Sequence, residues 1–156
     1  MEETKKKGLN TSSNSYTIIY SVVIVVVVAF LLAFVSSTLK PQQDENVALD
    51  KKKQILAALN IRDIDGAEAT EQYNKVVTAD KIIDRNGEEV EAGKQGGTEA
   101  GFLCNSTSTK EGKLALYVCN VDGETKYVIP VYGMGLWGGI SGYIALNADK
   151  QTVYGA

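Results

Sequence analysis

A glycine-rich segment around the single tryptophan is the part of the sequence best suited to bind a ligand. Residues 131–146 are VYGMGLWGGISGYIAL, and Trp137 lies among five glycines: Gly133, Gly135, Gly138, Gly139 and Gly142. Glycine lets the backbone approach a flat ligand closely, and an aromatic or apolar side chain can form the wall beside it. The alternative is that Trp137 covers the core above a glycine-rich turn, which composition favours because aromatic residues dominate core packing.

Three of these glycines also match a dinucleotide-binding pattern. Gly133, Gly135 and Gly138 fit G-x-G-x-x-G. That fingerprint requires a strand before it, a helix directly after it and an acidic residue about twenty residues further on. The residues after Gly138 favour a strand instead, and the sequence ends before such an acid, so we exclude a Rossmann-type site.

Composition excludes most other catalytic chemistry. The chain has no histidine, which removes Ser-His-Asp and Cys-His catalysis and histidine metal sites. Glu88 and Glu89 form a carboxylate pair, but they lie at a predicted turn, where charged side chains are usually solvated and not catalytic. Residues 93–101 (GKQGGTEAG) lack the phosphate-loop spacing and are predicted to be an ordinary loop.

Cys104 and Cys119 leave two alternatives. An oxidising compartment would permit a disulfide between them. Both cysteines lie in apolar, strand-like surroundings, where a small buried thiol is ordinary packing, and this favours two free thiols.

The elements that must hold this site begin with an apolar span. Residues 18–35 are IIYSVVIVVVVAFLLAFV, and no charged side chain occurs between Gly8 and Lys40. As a helix these residues extend roughly 27 Å, close to the ~30 Å hydrocarbon core of a bilayer. We predict one transmembrane helix over residues 16–39. A signal peptide removed after residues 35–37 (VSS) is the alternative.

Flanking charge predicts the orientation of this helix. A basic run, residues 5–7 (KKK), precedes it, whereas Lys40 is followed by the acids Asp44 and Glu45. Because basic flanks stay in the cytoplasm, we predict a cytoplasmic segment over residues 1–15 and a periplasmic C-terminal domain. The chain from Lys40 onward carries more acids than bases, which makes nucleic acid and anionic lipid poor partners.

After the span the pattern predicts a helix and then strands. Pro41 should end the first helix, and residues 46–60 resume helical spacing, with Ile55 and Leu59 on one stripe and Lys51 on the solvated side. Asn86-Gly87 then marks a short hairpin.

The clearest strand signal comes from a second turn dipeptide. Asp122-Gly123 joins residues 113–121 to residues 124–132, and a two-residue turn would make Val121 and Glu124 partners. The face that we expect to be core carries Leu116, Val118, Tyr127 and Ile129. Pro130 cannot donate to a ladder, so its strand should be an edge, or bulged, at that point. Residues 141–146 and 151–154 predict a further strand pair.

Together these patterns predict an α+β protein. It would have one N-terminal transmembrane helix, a juxtamembrane helix and a mainly antiparallel, β-rich domain. The predicted ranges are a cytoplasmic segment over 1–15, the transmembrane helix over 16–39, a juxtamembrane helix and linker over 40–65, and a partial extracytoplasmic domain over 66–156.

The sequence resembles the C subunit of the sodium-translocating NADH:quinone oxidoreductase over essentially its whole length. The resemblance lies in the basic head and single span, in residues 39–43 (LKPQQ) and 49–56 (LDKKKQIL), and above all in residues 130–146 (PVYGMGLWGGISGYIAL). A related family, the G subunit of the Rnf electron-transport complex, shares the flavin-binding domain.

The resemblance implies a single-pass subunit of a respiratory complex in the bacterial inner membrane, with an FMN-binding-type domain on the outer face. The FMN would relay electrons between other redox centres of a complex that reduces ubiquinone with NADH and transports sodium. Partners would be the other subunits and membrane lipid, and the chain needs no catalytic side chain because FMN supplies the redox chemistry. The residues expected near the flavin are Gly135, Leu136, Trp137 and Gly138, and no metal site is expected.

One part of the family pattern is missing. In the family, FMN is joined through its phosphate to a threonine in an S-G-A-T type motif near the C-terminus. Here Ser141-Gly142 continues with Tyr143, and Gly155-Ala156 is terminal. We therefore expect a truncated chain, inactive by itself, without the covalent attachment site. The alternatives are the G subunit of an Rnf-type complex, a membrane-tethered binding module and an inactive remnant.

Overall fold

The computed structural model describes residues 13–156 and shows an α+β fold, as the sequence predicted. The basic run at residues 5–7 and most of the predicted cytoplasmic segment lie outside the described residues. In chain order the elements are α1 (Asn14–Ala58), α2 (Gly66–Val76), β1 (Val77–Ile83), β2 (Glu89–Glu91), a 3-10 helix (Gly101–Leu103), α3 (Ser106–Lys110), β3 (Leu114–Val121), β4 (Glu124–Met134), β5 (Gly139–Leu146) and β6 (Val153–Gly155). The chain divides into two compact units, one ending at Glu45 and the other spanning Asn46–Ala156.

The first unit is the N-terminal part of α1. Its large apolar side chains between Ile18 and Val35 are exposed, which water does not favour. The hydroxyl groups of Ser21 and Thr38 donate to main-chain carbonyls one turn earlier, at 2.8 and 2.9 Å, so the helix satisfies its own polar groups. Among the described residues, α1 is the one helix long and apolar enough to cross a membrane.

α1 continues through Pro41, so the predicted helix break at Pro41 is wrong. Proline removes one main-chain N–H donor and its ring crowds the carbonyl four residues earlier, at a cost of about 3 kcal/mol. The residues that follow are mostly good helix formers, namely Ala, Leu, Lys and Gln, and they carry the helix on to Ala58. The predicted helical pattern after Asn46 is confirmed as the last part of this same helix.

The second unit contains a six-stranded antiparallel sheet in the order β2-β1-β3-β4-β5-β6. Both turn dipeptides form the predicted hairpins, with Ile83 opposite Glu89 and Val121 opposite Glu124. Asp122 and Gly123 have φ of 52° and 85°, the positive values that a two-residue hairpin turn requires at both central positions. The predicted last strand pair is β5 with β6.

The core lies on the sheet face opposite to the one that the sequence predicted. Ala115, Tyr117, Cys119 and Val128 are buried, whereas Leu116, Val118, Tyr127 and Ile129 are only half-buried. Both faces of the β3–β4 pair are apolar, so alternation alone does not distinguish them. The buried face is the one that shares a hydrophobic cluster with the helices, through Ile55, Leu56, Leu59 and Tyr73.

Lys51 does not lie on a freely solvated helix face. Its Nζ donates to the main-chain carbonyls of Phe102 and Cys104, the latter at 3.2 Å, and lies 4.8 Å from the centre of the Phe102 ring. Burial lowers the pKa of this ammonium group. Lys51 therefore ties the end of α1 to the 3-10 helix that follows the glycine-rich loop.

Candidate functional site

The residues predicted near a ligand lie on a two-stranded ribbon that extends beyond the rest of the sheet. β4 and β5 pair along their whole shared length, from Tyr127 opposite Leu146 to Met134 opposite Gly139. β3 pairs with β4 only as far as Val128, and β6 pairs with β5 only at Ala145 and Leu146. Residues 129–144, which we call the ribbon, therefore pair only with each other. Pro130 lies on a free strand edge, as predicted.

A tight turn closes the ribbon at its tip. The N–H of Gly135 donates to the carbonyl of Gly138 at 2.7 Å, so the four predicted site residues form this turn. Gly138 has φ of 148°, which side-chain-bearing residues rarely adopt. A Cβ on Gly135 would lie 2.6 Å from Cδ1 of Ile140. Gly138 is thus required for its backbone conformation, whereas a Cβ on Gly135 would chiefly meet the exposed, flexible side chain of Ile140, which can move aside.

The tip does not cover the core. Trp137 is 97% exposed and Leu136 is 91% exposed, and on the flanking strands Met134 and Ile140 are 86% and 64% exposed. The alternative that composition favoured, with Trp137 packed over a core, is therefore wrong. The structure brings Gly135, Leu136, Trp137 and Gly138 together, but on the surface of a projecting hairpin.

A cleft of about 490 Å³ lies between the ribbon and α3, within the size range of small-molecule sites. One wall comes from Tyr132, Gly133, Met134, Gly139, Ile140 and Ser141 of the ribbon, and the other from Asn105, Ser106 and Lys110. The ribbon wall is largely apolar and the α3 wall is polar with one cation. The four residues of the tip adjoin this cleft in sequence but do not line it.

The glycine-rich loop at residues 93–101 does cradle an anion, but that anion belongs to the chain itself. Asp80 of β1 is 1% exposed. Its Oδ1 accepts from the N–H of Lys94 at 3.2 Å, and its Oδ2 accepts from the N–H groups of Ala100 and Phe102 at 3.0 and 3.4 Å. A Cβ on Gly97 would lie 1.7 Å from Oδ1 of Asp80. The loop therefore leaves no room for a phosphate, in agreement with its lack of a phosphate-loop motif.

Buried phenols surround this loop and take no part in acid–base chemistry. The hydroxyl of Tyr73 donates to the carbonyl of Gly97 at 2.9 Å, and that of Tyr117 donates to the carbonyl of Gly101 at 3.2 Å. Burial raises the pKa of both phenols far above neutral pH, so they remain protonated donors. They position the loop and do not transfer protons.

The cysteines and acids provide no further reactive centre in the described part of the chain. Cys104 and Cys119 are both buried and free, as their apolar surroundings predicted. Within residues 13–156 no group of three or more metal-ligating side chains comes together. Asp80 and the α3 wall of the cleft were not predicted from the sequence. An isolated acid in a strand beside a glycine-rich loop was the available signal for Asp80, whereas nothing local indicated that residues 105–110 would face the ribbon.

Comparison with known proteins gives consistent relatives. The chain is 27% identical to the C subunit of the Na(+)-translocating NADH-quinone reductase of Pseudomonas aeruginosa, an alignment that covers 94% of this chain and 63% of that protein. It is 29% identical to the corresponding C subunit of Haemophilus ducreyi, over 80% of this chain and 54% of that protein. No protein-family model matches the chain.

The fold comparison agrees. A crystal structure of the C subunit of the Na(+)-translocating NADH-quinone reductase from Parabacteroides distasonis superposes with a TM-score of 0.66 and 34% identity, covering 74% of this chain and 55% of that one. The chain thus spans between about half and two-thirds of the length of these relatives. Sequence and fold together confirm the predicted resemblance, and the chain is a homologue of the C subunit of the Na(+)-translocating NADH-quinone reductase.

Proposed function

We propose that this chain is an electron-carrying subunit of a membrane-bound, sodium-pumping NADH:quinone reductase, and that it relays electrons through an FMN on the outer face of the membrane. The names of its relatives support a place in such a complex, with the other subunits as partners. The exposed apolar helix supports association with the bacterial inner membrane. The basic run at residues 5–7, ahead of the apolar span, supports a cytoplasmic N-terminus and a periplasmic second unit.

The cleft beside the ribbon is the place in the described residues that best fits a flavin. Its apolar wall, with Tyr132, Met134 and Ile140, suits the flat ring system of the flavin, and Lys110 with Asn105 suits the phosphate and hydroxyl groups of its tail. FMN would supply the electron-accepting and electron-donating chemistry when bound. The lining of the cleft is the observation that carries the proposal. The chain itself has no histidine and its buried phenols stay protonated, so a bound cofactor must supply the redox chemistry.

The chain's own residues would bind and shield the flavin. Leu136 and Trp137 adjoin the cleft in sequence, and we propose that they form its rim, where they would limit the access of water to the ring. We assign Gly135, Leu136, Trp137 and Gly138 to this rim. The S-G-A-T type attachment motif does not occur in this sequence.

Titration of flavin-free, detergent-solubilised full chain with FMN tests the proposal. We expect the flavin emission to be quenched and its anisotropy to rise, with weaker binding in Ile140→Asp, which places a charge on the apolar wall. Val153→Asp is the matched control, because Val153 is similarly exposed, at 62%, but lies on β6 outside the cleft. Trp137→Ala should change the fluorescence or potential of the bound flavin without abolishing binding.

Two results would contradict the flavin site. If the wild-type chain leaves the emission and anisotropy of FMN unchanged, FMN is not a cofactor of this chain. If Ile140→Asp and Val153→Asp weaken FMN binding equally, the flavin does not bind in the cleft.

A membrane-tethered binding module is the second candidate function. The exposure of four large apolar side chains at the ribbon tip favours it, because such patches mark interaction sites. The G subunit of an Rnf-type complex would share the flavin, so the titration does not separate that alternative from the sodium-pumping complex. A chain that binds no FMN but retains its fold and its ribbon would support the binding module or a remnant without electron-transfer activity.

A further inference from the structure

The ribbon tip exposes a cluster of large apolar side chains, and their contact with water is unfavourable. Met134, Leu136, Trp137 and Ile140 are each at least 64% exposed, and all lie within seven residues of chain. The ribbon ends in a four-residue turn. The Gly135–Gly138 hydrogen bond and the pairing of Met134 with Gly139 hold this turn together. A two-stranded hairpin without a packed face is marginally stable in water, so this tip is suited to a medium other than water.

The charge around the tip is absent or balanced. Residues 127–148 contain no Asp, Glu, Lys or Arg. Ile83 pairs with Leu114, so the loop after β1 and the residues before β3 lie at the same end of the sheet as the ribbon. This end carries three acids and three cations, namely Asp84, Glu88, Glu111, Arg85, Lys110 and Lys113. Such a surface neither attracts nor repels a zwitterionic layer strongly.

We propose that the ribbon tip docks into the headgroup region of a zwitterionic phospholipid bilayer, with Trp137 and Leu136 as the inserted side chains. Tryptophan is enriched at membrane interfaces, where its apolar ring and its indole N–H both find partners. Leu136, Met134 and Ile140 supply apolar area for the boundary between headgroups and acyl chains. The turn can enter this zone because its backbone N–H and C=O groups still find hydrogen-bond partners there, which the bilayer core would not offer.

The tip chemistry favours lipid over a protein partner. Protein interfaces fix their register through a polar or charged rim around an apolar centre. The tip has no charged side chain, and its polar side-chain group at the turn is the indole N–H of Trp137. Because the same chain carries α1, an exposed helix long enough to span a bilayer, the docking step would be intramolecular and gain from a high effective lipid concentration.

Trp137 is the only tryptophan of the sequence, so its fluorescence reports on the tip alone. The experiment uses the flavin-free full chain in phosphatidylcholine nanodiscs, with and without phosphatidylcholine brominated near the top of the acyl chains. We expect a blue-shifted Trp137 emission that brominated lipid quenches and aqueous iodide does not. Exchange of half the lipid for phosphatidylglycerol should change the quenching little, because the charges at this end of the sheet balance.

A matched variant moves the probe to another exposed strand. In Trp137→Phe with Val90→Trp the tryptophan occupies a position on β2 that is 59% exposed, and we expect iodide to quench it and brominated lipid not to. Quenching of Trp137 by iodide alone would overturn the proposal, and so would shielding from both quenchers, which would indicate a protein surface such as a second copy. Equal quenching of both positions by brominated lipid would mean unspecific adhesion and would also overturn it. The assay contains no flavin, so its failure is separate from failure of the FMN proposal.

Discussion

Asp80→Asn should destabilise the second unit, because the carboxylate is the centre around which the glycine-rich loop folds. Asp80 is almost fully buried, and its two oxygens accept three main-chain N–H groups from residues 94–102. Asparagine has nearly the same shape but keeps only one oxygen and brings a donor group in place of the other. The substitution therefore changes hydrogen bonding and charge while leaving volume almost unchanged.

The cost follows from the three bonds. If the remaining oxygen faces Ala100 and Phe102, two charge-assisted bonds become neutral ones, at about 1 kcal/mol each, and the N–H of Lys94 faces another donor, at about 2 kcal/mol. We expect a loss of about 4 kcal/mol in the free energy of unfolding. That is a large part of the ~5–15 kcal/mol that typically stabilises a domain.

Urea unfolding in detergent measures this loss. Trp137 is 97% exposed and is a poor reporter, so the near-ultraviolet circular dichroism of the buried tyrosines, including Tyr73 and Tyr117, should be followed instead. The midpoint should fall with an unchanged slope. Asp122→Asn is the control, because it removes the same charge from an exposed hairpin turn that accepts asparagine. If Asp80→Asn and Asp122→Asn unfold at the same urea concentration, the carboxylate does not organise the loop.

Three further predictions concern the glycine-rich loop and the core beneath it. Gly97→Ala should lower the free energy of unfolding, measured in urea, by about 1–3 kcal/mol, because the added Cβ would overlap Asp80. Gly133→Ala is the control and should lower it far less, because no atom lies within 4 Å of its added Cβ. Equal losses would contradict the close approach of Gly97 to Asp80. Burial raises the pKa of the Cys119 thiol to about 12, from an ordinary value of 9.0. The folded state therefore keeps a proton that the unfolded state loses, and stability should fall as pH rises above about 9, a fall that Cys119→Ala should reduce between about pH 9 and 12. Native Cys119 should also resist a thiol reagent at neutral pH and react once urea unfolds the chain, and rapid labelling of the folded chain would refute its burial.

Local patterns predicted the elements of this protein well. The apolar span, the two hairpins with their Asn-Gly and Asp-Gly turns, and the free thiols each depend on residues close in sequence. The proline at position 41 was a misleading signal because its cost, about 3 kcal/mol, is confined to one turn, whereas the helix formers around it act over many residues.

Placement across the sheet was less predictable. Leu116 and Tyr117 are both apolar enough for a core, and only the side on which the helices pack buries one and leaves the other half-exposed. The same limit applies to the candidate site. The segment around Trp137 was recognised from its glycines, but whether its tryptophan was covered or exposed depended on how far β3 and β6 extend along their neighbours.

The amino-acid sequence by itself determined that an apolar helix precedes an antiparallel β-rich unit, because hydropathy, strand alternation and turn chemistry are properties of neighbouring residues. It also predicted the resemblance to the C subunit of the reductase, which the sequence and fold comparisons confirm. Only the tertiary structure decided that Asp80 fills the glycine-rich loop, that α3 forms one wall of a cleft and that Trp137 stands exposed. Each of these depends on contacts between residues far apart in the chain, which become neighbours only when the sheet and helices assemble.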